Sequence, residues 1–196
     1  MSAPLINTLS RRDLVLAASK LSGAVALFST TGMAHVALAA DPGKLEPAKD
    51  VEILNVALSL EHQAIAAYQI SADSGLLKQQ ALNLCLLFQS HHKTHREALV
   101  DTVKKLGGSP ASAQQTAEYA KSLDTGSLKS QTDLLELALK LELNSANAFI
   151  GLIPSLGDRD AARLCGRLVA DQAMHWTALL SFLGKPLPAN GLTFGA

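Results

Sequence analysis

Between residues 48 and 184, apolar residues recur almost everywhere with a period near 3.6, which is the spacing of an amphipathic α-helix. Polar or helix-breaking residues interrupt the pattern at 74–75, 108–130 and 154–157. Hydrophobic residues make up 48% of the chain and aromatic residues only 4%, a composition that favours helices packed on helices over a sheet. The pattern therefore predicts four long helices in one all-α domain.

The lengths of the interruptions predict how the helices are connected. The first and third are tight turns, so the flanking helices should form two antiparallel hairpins. The second is a polar segment of about 23 residues that contains one short predicted helix, 115–122. A helix of ~27 residues spans about 40 Å, and a connection of that length can traverse it. The predicted fold is a four-helix bundle with one long crossover between helices 2 and 3.

Six polar side chains occupy positions in the apolar stripes where a packed core would have leucine. Each half of the chain has a glutamate on the first helix of its hairpin and, about thirty residues later, a pair three positions apart on the second. Residues at i and i+3 share a helical face, so both members of a pair can reach a common point. Because isolated buried polar groups are costly, we expect all six to meet in one buried site. They are Glu61, His92, His95, Glu142, Gln172 and His175.

This arrangement resembles the ligand pattern of the ferritin-like di-iron carboxylate proteins, including the rubrerythrins and bacterioferritins, in which a Glu and a Glu-x-x-His pair occur twice. The resemblance covers residues 48–184 and extends to bacterial ferritin-like proteins related to plant desiccation-associated proteins. It implies that Glu61 and Glu142 match the single glutamates of the family. His95 and His175 match its histidines.

The sequence departs from the family at the two bridging glutamates, which are replaced by His92 and Gln172. Two carboxylates remain, and they balance one divalent ion but leave two such ions with uncompensated charge in a low-dielectric core. We therefore expect one transition metal ion (iron, manganese, zinc or copper) or none, and we disfavour a full di-iron centre. A metal-free network of Glu–His hydrogen bonds is the alternative.

Several neighbouring residues are predicted to lie outside this site. His62 and His91 are adjacent in sequence to site residues but point off the stripe, so they should be exposed or rim histidines. Tyr68 and Trp176 are interpreted mainly as packing residues. Asp171 could supply a third carboxylate, but it lies about 100° around its helix from Gln172.

The N-terminal segment resembles a twin-arginine export signal rather than part of the fold. Arg11 and Arg12 directly precede a mildly apolar stretch, and a small-residue end fits cleavage after Ala39 or Ala40. An ordinary secretory signal is the alternative, but Lys20 and the weak hydrophobicity favour the twin-arginine route. We expect a periplasmic or otherwise exported protein that uses the twin-arginine machinery and keeps no membrane anchor after the signal is removed.

The predicted layout is a signal at 1–39, a linker at 40–47, the bundle at 48–184 and a tail at 185–196 that lies against the bundle. The formal net charge is zero, so no basic footprint indicates nucleic-acid binding. Cys85 and Cys165 lie at the same offset before their histidines on helices that run antiparallel, so we expect them far apart and unpaired.

Two functions are compatible with these features. The first is an exported metal-binding protein, with or without redox activity. The second is a non-catalytic, stress-related or structural bundle with a metal-free polar core. Gly-rich phosphate loops, Ser/His/Asp arrangements and CxxC pairs do not occur, so nucleotide and thiol chemistry are unsupported. The sequence indicates neither catalytic residues nor an oligomeric state.

Overall fold

The computed structural model describes residues 47–195, and all regular structure in that range is helical. No helix within those residues is both long and apolar enough to cross a membrane. The predicted signal, 1–39, lies outside the described residues. The helices are α1 (Pro47–Asp73), α2 (Gln79–Lys105), α3 (Thr116–Ser122), α4 (Gln131–Leu152) and α5 (Arg159–Phe182), with 3-10 turns at Thr125–Ser127 and Ile153–Ser155.

The four long helices form two antiparallel hairpins, α1 with α2 and α4 with α5. Near the beginning of α1, the buried Asp50 carboxylate accepts hydrogen bonds from the backbone N–H groups of Gly157 (2.9 Å) and Asp158 (2.6 Å), between α4 and α5. At the opposite end, the backbone N–H of Lys78 donates to the side chain of Gln131, where α4 begins (2.9 Å). Helices α1 and α4 therefore run antiparallel, and residues 106–130 cross the length of the bundle. The predicted four-helix bundle with one crossover is confirmed.

The residues at the ends of the helices have side chains or backbone conformations that favour the start or the end of a helix. The Asp158 side chain accepts a hydrogen bond from the backbone N–H of Ala161 (2.8 Å), which caps α5. Ser130 caps α4 in the same way through Asp133 (3.1 Å). After α1, Gly75 has a φ of 70°, a left-handed conformation that glycine adopts without strain.

Two apolar clusters fill the interior. Cluster A lies at the end of the bundle where α1 begins, and cluster B lies where α2 begins. Each fully buried large side chain in them contributes roughly 1.5–3 kcal/mol. The six polar residues singled out in the sequence separate the clusters, and we call these six the polar layer. The larger members of cluster A are Leu54, Leu58, Leu99, Phe149 and Leu168. Those of cluster B are Tyr68, Phe88, Leu135, Trp176 and Leu179.

The C-terminal tail packs against the bundle, as predicted. The ring of Phe194 meets Trp176 edge-on, with centroids 5.3 Å apart. The backbone N–H of Gly195 donates to the Asn147 side chain of α4 (2.7 Å).

Both cysteines are free and buried, which confirms that they do not pair. Cys85 belongs to cluster B and Cys165 to cluster A, on opposite sides of the polar layer. Burial raises the pKa of Cys85 to about 11 and that of Cys165 to about 12, because a thiolate is poorly solvated there.

We therefore predict that neither thiol of the native protein reacts readily with a thiol reagent. After denaturation without reductant, the monomer should show two free thiols. Thiol titration before and after denaturation measures both numbers. A Cys85–Cys165 bridge identified by mass spectrometry would contradict the crossover topology itself.

Candidate metal centre

The structure brings all six residues of the polar layer together at the middle of the bundle. Helix α1 provides Glu61, α2 provides His92 and His95, α4 provides Glu142, and α5 provides the remaining two. Every one is at most 4% exposed. Each long helix thus presents its polar residues to one shared, buried volume, as the stripe positions predicted.

His92 lies between the two glutamates. Its Nδ1 is 2.6 Å from Oε2 of Glu61, and its Nε2 is 3.0 Å from Oε1 of Glu142. Ionised carboxylates only accept hydrogen bonds, so both ring nitrogens donate and His92 is an imidazolium. Burial opposes this charge, but Glu142 and Glu61 outweigh burial and raise the pKa of His92 to about 10.

The two glutamates are correspondingly held as anions. Burial alone would raise the pKa of Glu142, but His92 and His175 outweigh burial and lower it to about 2. The pKa of Glu61 is also lowered, since His92 and His95 outweigh its burial. The layer without metal is therefore built around a carboxylate–imidazolium–carboxylate chain.

His95 is oriented by Asp171, a residue that lies off the apolar stripe of its helix. Its Nε2 lies 3.0 Å from Oδ2 of Asp171 on α5, whose side chain is 47% exposed. Its Nδ1 lies 3.5 Å from Oε2 of Glu61 and has no hydrogen-bond partner among the described residues. Although Asp171 is rotated around α5 from the stripe, its side chain reaches across to α2.

His175 faces the other glutamate. Its Nδ1 lies 3.3 Å from Oε2 of Glu142, and the ring of Phe88 stacks on it at 4.1 Å. Its Nε2 lies 2.9 Å from Nδ1 of His91. The prediction that His91 is only a rim or exposed histidine was therefore incomplete, because this half-buried side chain contacts the polar layer directly. Burial, and then the neighbouring His175, lower the pKa of His91.

Tyr68 also belongs to the site. It is buried in cluster B, as predicted, but its hydroxyl donates a 2.6 Å hydrogen bond to Oε1 of Glu142. Burial and the adjacent carboxylate raise its pKa well above the ordinary value, so the phenol stays protonated. The available sequence signal was its position two helical turns after Glu61 on the same stripe.

Gln172 participates through its amide nitrogen, which donates to Oε1 of Glu61 (3.1 Å). Its Oε1 is buried and has no hydrogen-bond partner among the described residues. His62 and Trp176 behave as predicted. His62 lies off the site, with Nε2 3.1 Å from the carbonyl oxygen of Ala111, and Trp176 packs in cluster B.

The layer contains two sets of metal-ligating atoms, each with its atoms within 4.8 Å of one another. The first set is Glu61, His92 and His95, and the second is His92, Glu142 and His175. Each consists of one carboxylate and two imidazoles, and the two sets share His92.

A family model for the ferritin-like domain matches residues 49–185. The chain belongs to the ferritin-like family. No protein of curated function matches the sequence significantly.

Two solved structures resemble the bundle. A conserved hypothetical protein from Mycobacterium tuberculosis is 20% identical, with a TM-score of 0.59 over 73% of this chain and 96% of that one. A dodecameric thioferritin, the bacterioferritin-related protein from Bacteroides fragilis, is 18% identical, with a TM-score of 0.60 over 72% of this chain and 88% of that one. At these identities the likeness shows the fold alone.

The residues of this ferritin-like chain fit one metal ion better than two. Glu61 and Glu142 carry two negative charges, which one divalent ion balances when His92 is neutral. Two divalent ions would leave two positive charges in excess, and an uncompensated charge is costly in so buried a volume. The donor atoms themselves, carboxylate oxygen and imidazole nitrogen, suit first-row transition metals.

The protonation states of the layer predict how the stability of chelator-treated protein depends on pH. The pKa of His92 rises from 6.5 to about 10, so its contribution is full below 6.5 and is lost as pH rises through 10. That of Glu142 falls from 4.5 to about 2, so its contribution is full above 4.5 and is lost as pH falls toward 2. The denaturation midpoint should be highest between pH 4.5 and 6.5.

Chemical denaturation across this pH range measures the effect. In His92→Gln the alkaline decline should largely disappear, even though the variant is less stable at every pH. A wild-type midpoint that stays level from pH 6.5 to 10 would show that His92 is not charged in the folded protein.

Proposed function

We propose that this protein is an exported ferritin-like metalloprotein that holds one divalent transition-metal ion in the polar layer. The sharing of His92 between the two ligand sets supports this stoichiometry most directly. A neutral imidazole has one nitrogen lone pair, so a His92 that keeps one proton completes only one of the two sets at a time. The charge of the two glutamates leads to the same number independently.

The composition of each ligand set supports a redox-capable ion. One carboxylate and two imidazoles, with coordination positions left open, are the protein ligands of many mononuclear non-haem iron sites. Iron, manganese or copper held here would supply one-electron chemistry, whereas zinc would supply a Lewis acid. The chain itself orients the ligands: Tyr68 donates a hydrogen bond to Glu142, and the ring of Phe88 covers one face of His175.

His92 must give up a proton to act as a ligand, because both its nitrogens donate hydrogen bonds in the metal-free layer. An ion therefore replaces positive charge that the layer already holds. This replacement keeps the buried site close to neutral in either state.

A metal-free structural bundle is the second candidate function. The same His92 contacts favour it, because they pair both buried glutamates without any ion. In that case the polar layer would set the packing of the helices and nothing more.

Metal titration separates the two candidates. Anaerobic addition of ferrous iron to metal-free protein should saturate at or below one equivalent per chain, measured by equilibrium dialysis and elemental analysis. His62→Gln, which removes a histidine outside the layer, should bind like the wild type, whereas Glu61→Gln with Glu142→Gln should not bind. Two equivalents with a bridged diferric absorption band would overturn the one-ion proposal, and no binding would favour the structural bundle.

Export is supported by Arg11 and Arg12 before the apolar stretch of the signal. The twin-arginine route carries folded proteins, so the protein can bind its ion before export. Replacing both arginines by lysine should leave the precursor in the cytoplasm, as seen by fractionation and immunoblotting. N-terminal sequencing of the exported wild type should begin at residue 40 or 41. Unchanged export of the double variant would indicate the ordinary secretory route.

A further inference from the structure

The two halves of the polar layer have equivalent positions but different chemistry. Helix α2 carries His91, His92 and His95, and α5 carries Asp171, Gln172 and His175 with the same spacing. His95 is backed by an acidic residue from the opposite helix, whereas His175 is backed by a histidine. The two halves are therefore not equally suited to a cation.

We propose that the ion is held in the half formed by Glu61, His92 and His95, with the amide oxygen of Gln172 as a further ligand and Asp171 as the positioning residue for His95. This inference rests on the proposed function, since it specifies where the ion of that site is bound. It depends in part on residues that lie outside the family's pattern of Glu and Glu-x-x-His.

The surroundings of His95 are those of a metal ligand. Because Asp171 accepts a hydrogen bond from Nε2, a neutral His95 has its lone pair on Nδ1. That atom is buried, has no hydrogen-bond partner within residues 47–195, and lies 3.5 Å from Oε2 of Glu61. This separation is at the long limit of a hydrogen bond, so Nδ1 is available to bind an ion that Glu61 also holds.

Gln172 adds a second unpartnered atom to the same half. Its amide nitrogen is bonded to Glu61, which leaves Oε1 as a buried acceptor without a donor in the described part of the chain. An unmet buried acceptor is unfavourable, and a divalent ion would satisfy it. Both orphaned polar atoms of the layer thus belong to residues that face Glu61.

In the opposite half, no buried side-chain nitrogen or oxygen of the described residues lacks a hydrogen-bond partner. The Glu142 oxygens face the Tyr68 hydroxyl, Nε2 of His92 and Nδ1 of His175. The side chain behind His175 is that of His91, whose imidazole carries no negative charge. Asp171 instead places a carboxylate behind His95, which makes a ligating imidazole more basic and adds attraction for a cation.

Cobalt(II) titration of the full mature protein tests the assignment, with affinity measured by chelator competition and ligands counted by X-ray absorption. Asp171→Asn should weaken binding by roughly 10–100-fold while keeping the imidazole count, as expected for a residue that positions a ligand. Asp101→Asn, an exposed carboxylate on the same helix as His95, is the matched control and should bind like the wild type. The metal-free stability of Asp171→Asn should be close to that of the wild type, since its side chain is half exposed.

Ligand variants decide between the halves. His95→Gln should lose one imidazole and most of the affinity, and Gln172→Leu should weaken binding, whereas His175→Gln should retain cobalt. Loss of cobalt in His175→Gln with retention in His95→Gln, or equal binding by Asp171→Asn and Asp101→Asn, would overturn this inference and leave the one-ion function intact. Absence of cobalt binding by the wild type would instead refute the proposed function.

Discussion

The polar layer depends on the contact of His92 with two glutamates. Each carboxylate alone, in a volume at most 4% exposed, would be strongly destabilising. One imidazolium with a short hydrogen bond to each satisfies both at once. Because the three residues come from α1, α2 and α4, the same contact also joins the two hairpins. His175 and Gln172 then connect α5 to these glutamates.

This layer also fixes how the helices are aligned along the bundle. Clusters A and B are apolar, and burial of apolar area is almost insensitive to a small sliding of one helix past another. Hydrogen bonds of 2.6–3.3 Å, in contrast, are broken when one helix slides past another. Those of the polar layer join all four long helices at the middle of the bundle. A shift of one turn would separate the layer and leave two buried anions without partners. The hydrogen bonds of Asp50 and Gln131 at the two ends of the bundle act in the same direction.

The architecture could be predicted from the sequence because each signal for it depends on residues that are close together in the chain. The period of 3.6 and the long polar connection predicted the helices and the crossover, and the six stripe positions predicted which polar residues meet. Their distances, and the partners from outside the stripe, were not predictable. Tyr68 looks like any buried aromatic residue because its acceptor lies 74 residues away on α4. His91 and Asp171 lie off the stripe, and only the lengths of their side chains and the spacing of α2 and α5 bring them to the layer.

Because His92 and Gln172 replace two bridging glutamates, the bundle does not need a bound metal ion in order to fold. Four carboxylates in one buried layer would repel each other strongly unless ions or protons were bound. With two carboxylates and an imidazolium, the formal excess is a single negative charge, and hydrogen bonds already pair both glutamates. The bundle can therefore form before an ion arrives, unlike small zinc domains whose fold requires the metal. The remaining negative charge and the atoms of His95 and Gln172 without hydrogen-bond partners among the described residues would favour binding of a cation to the preformed site.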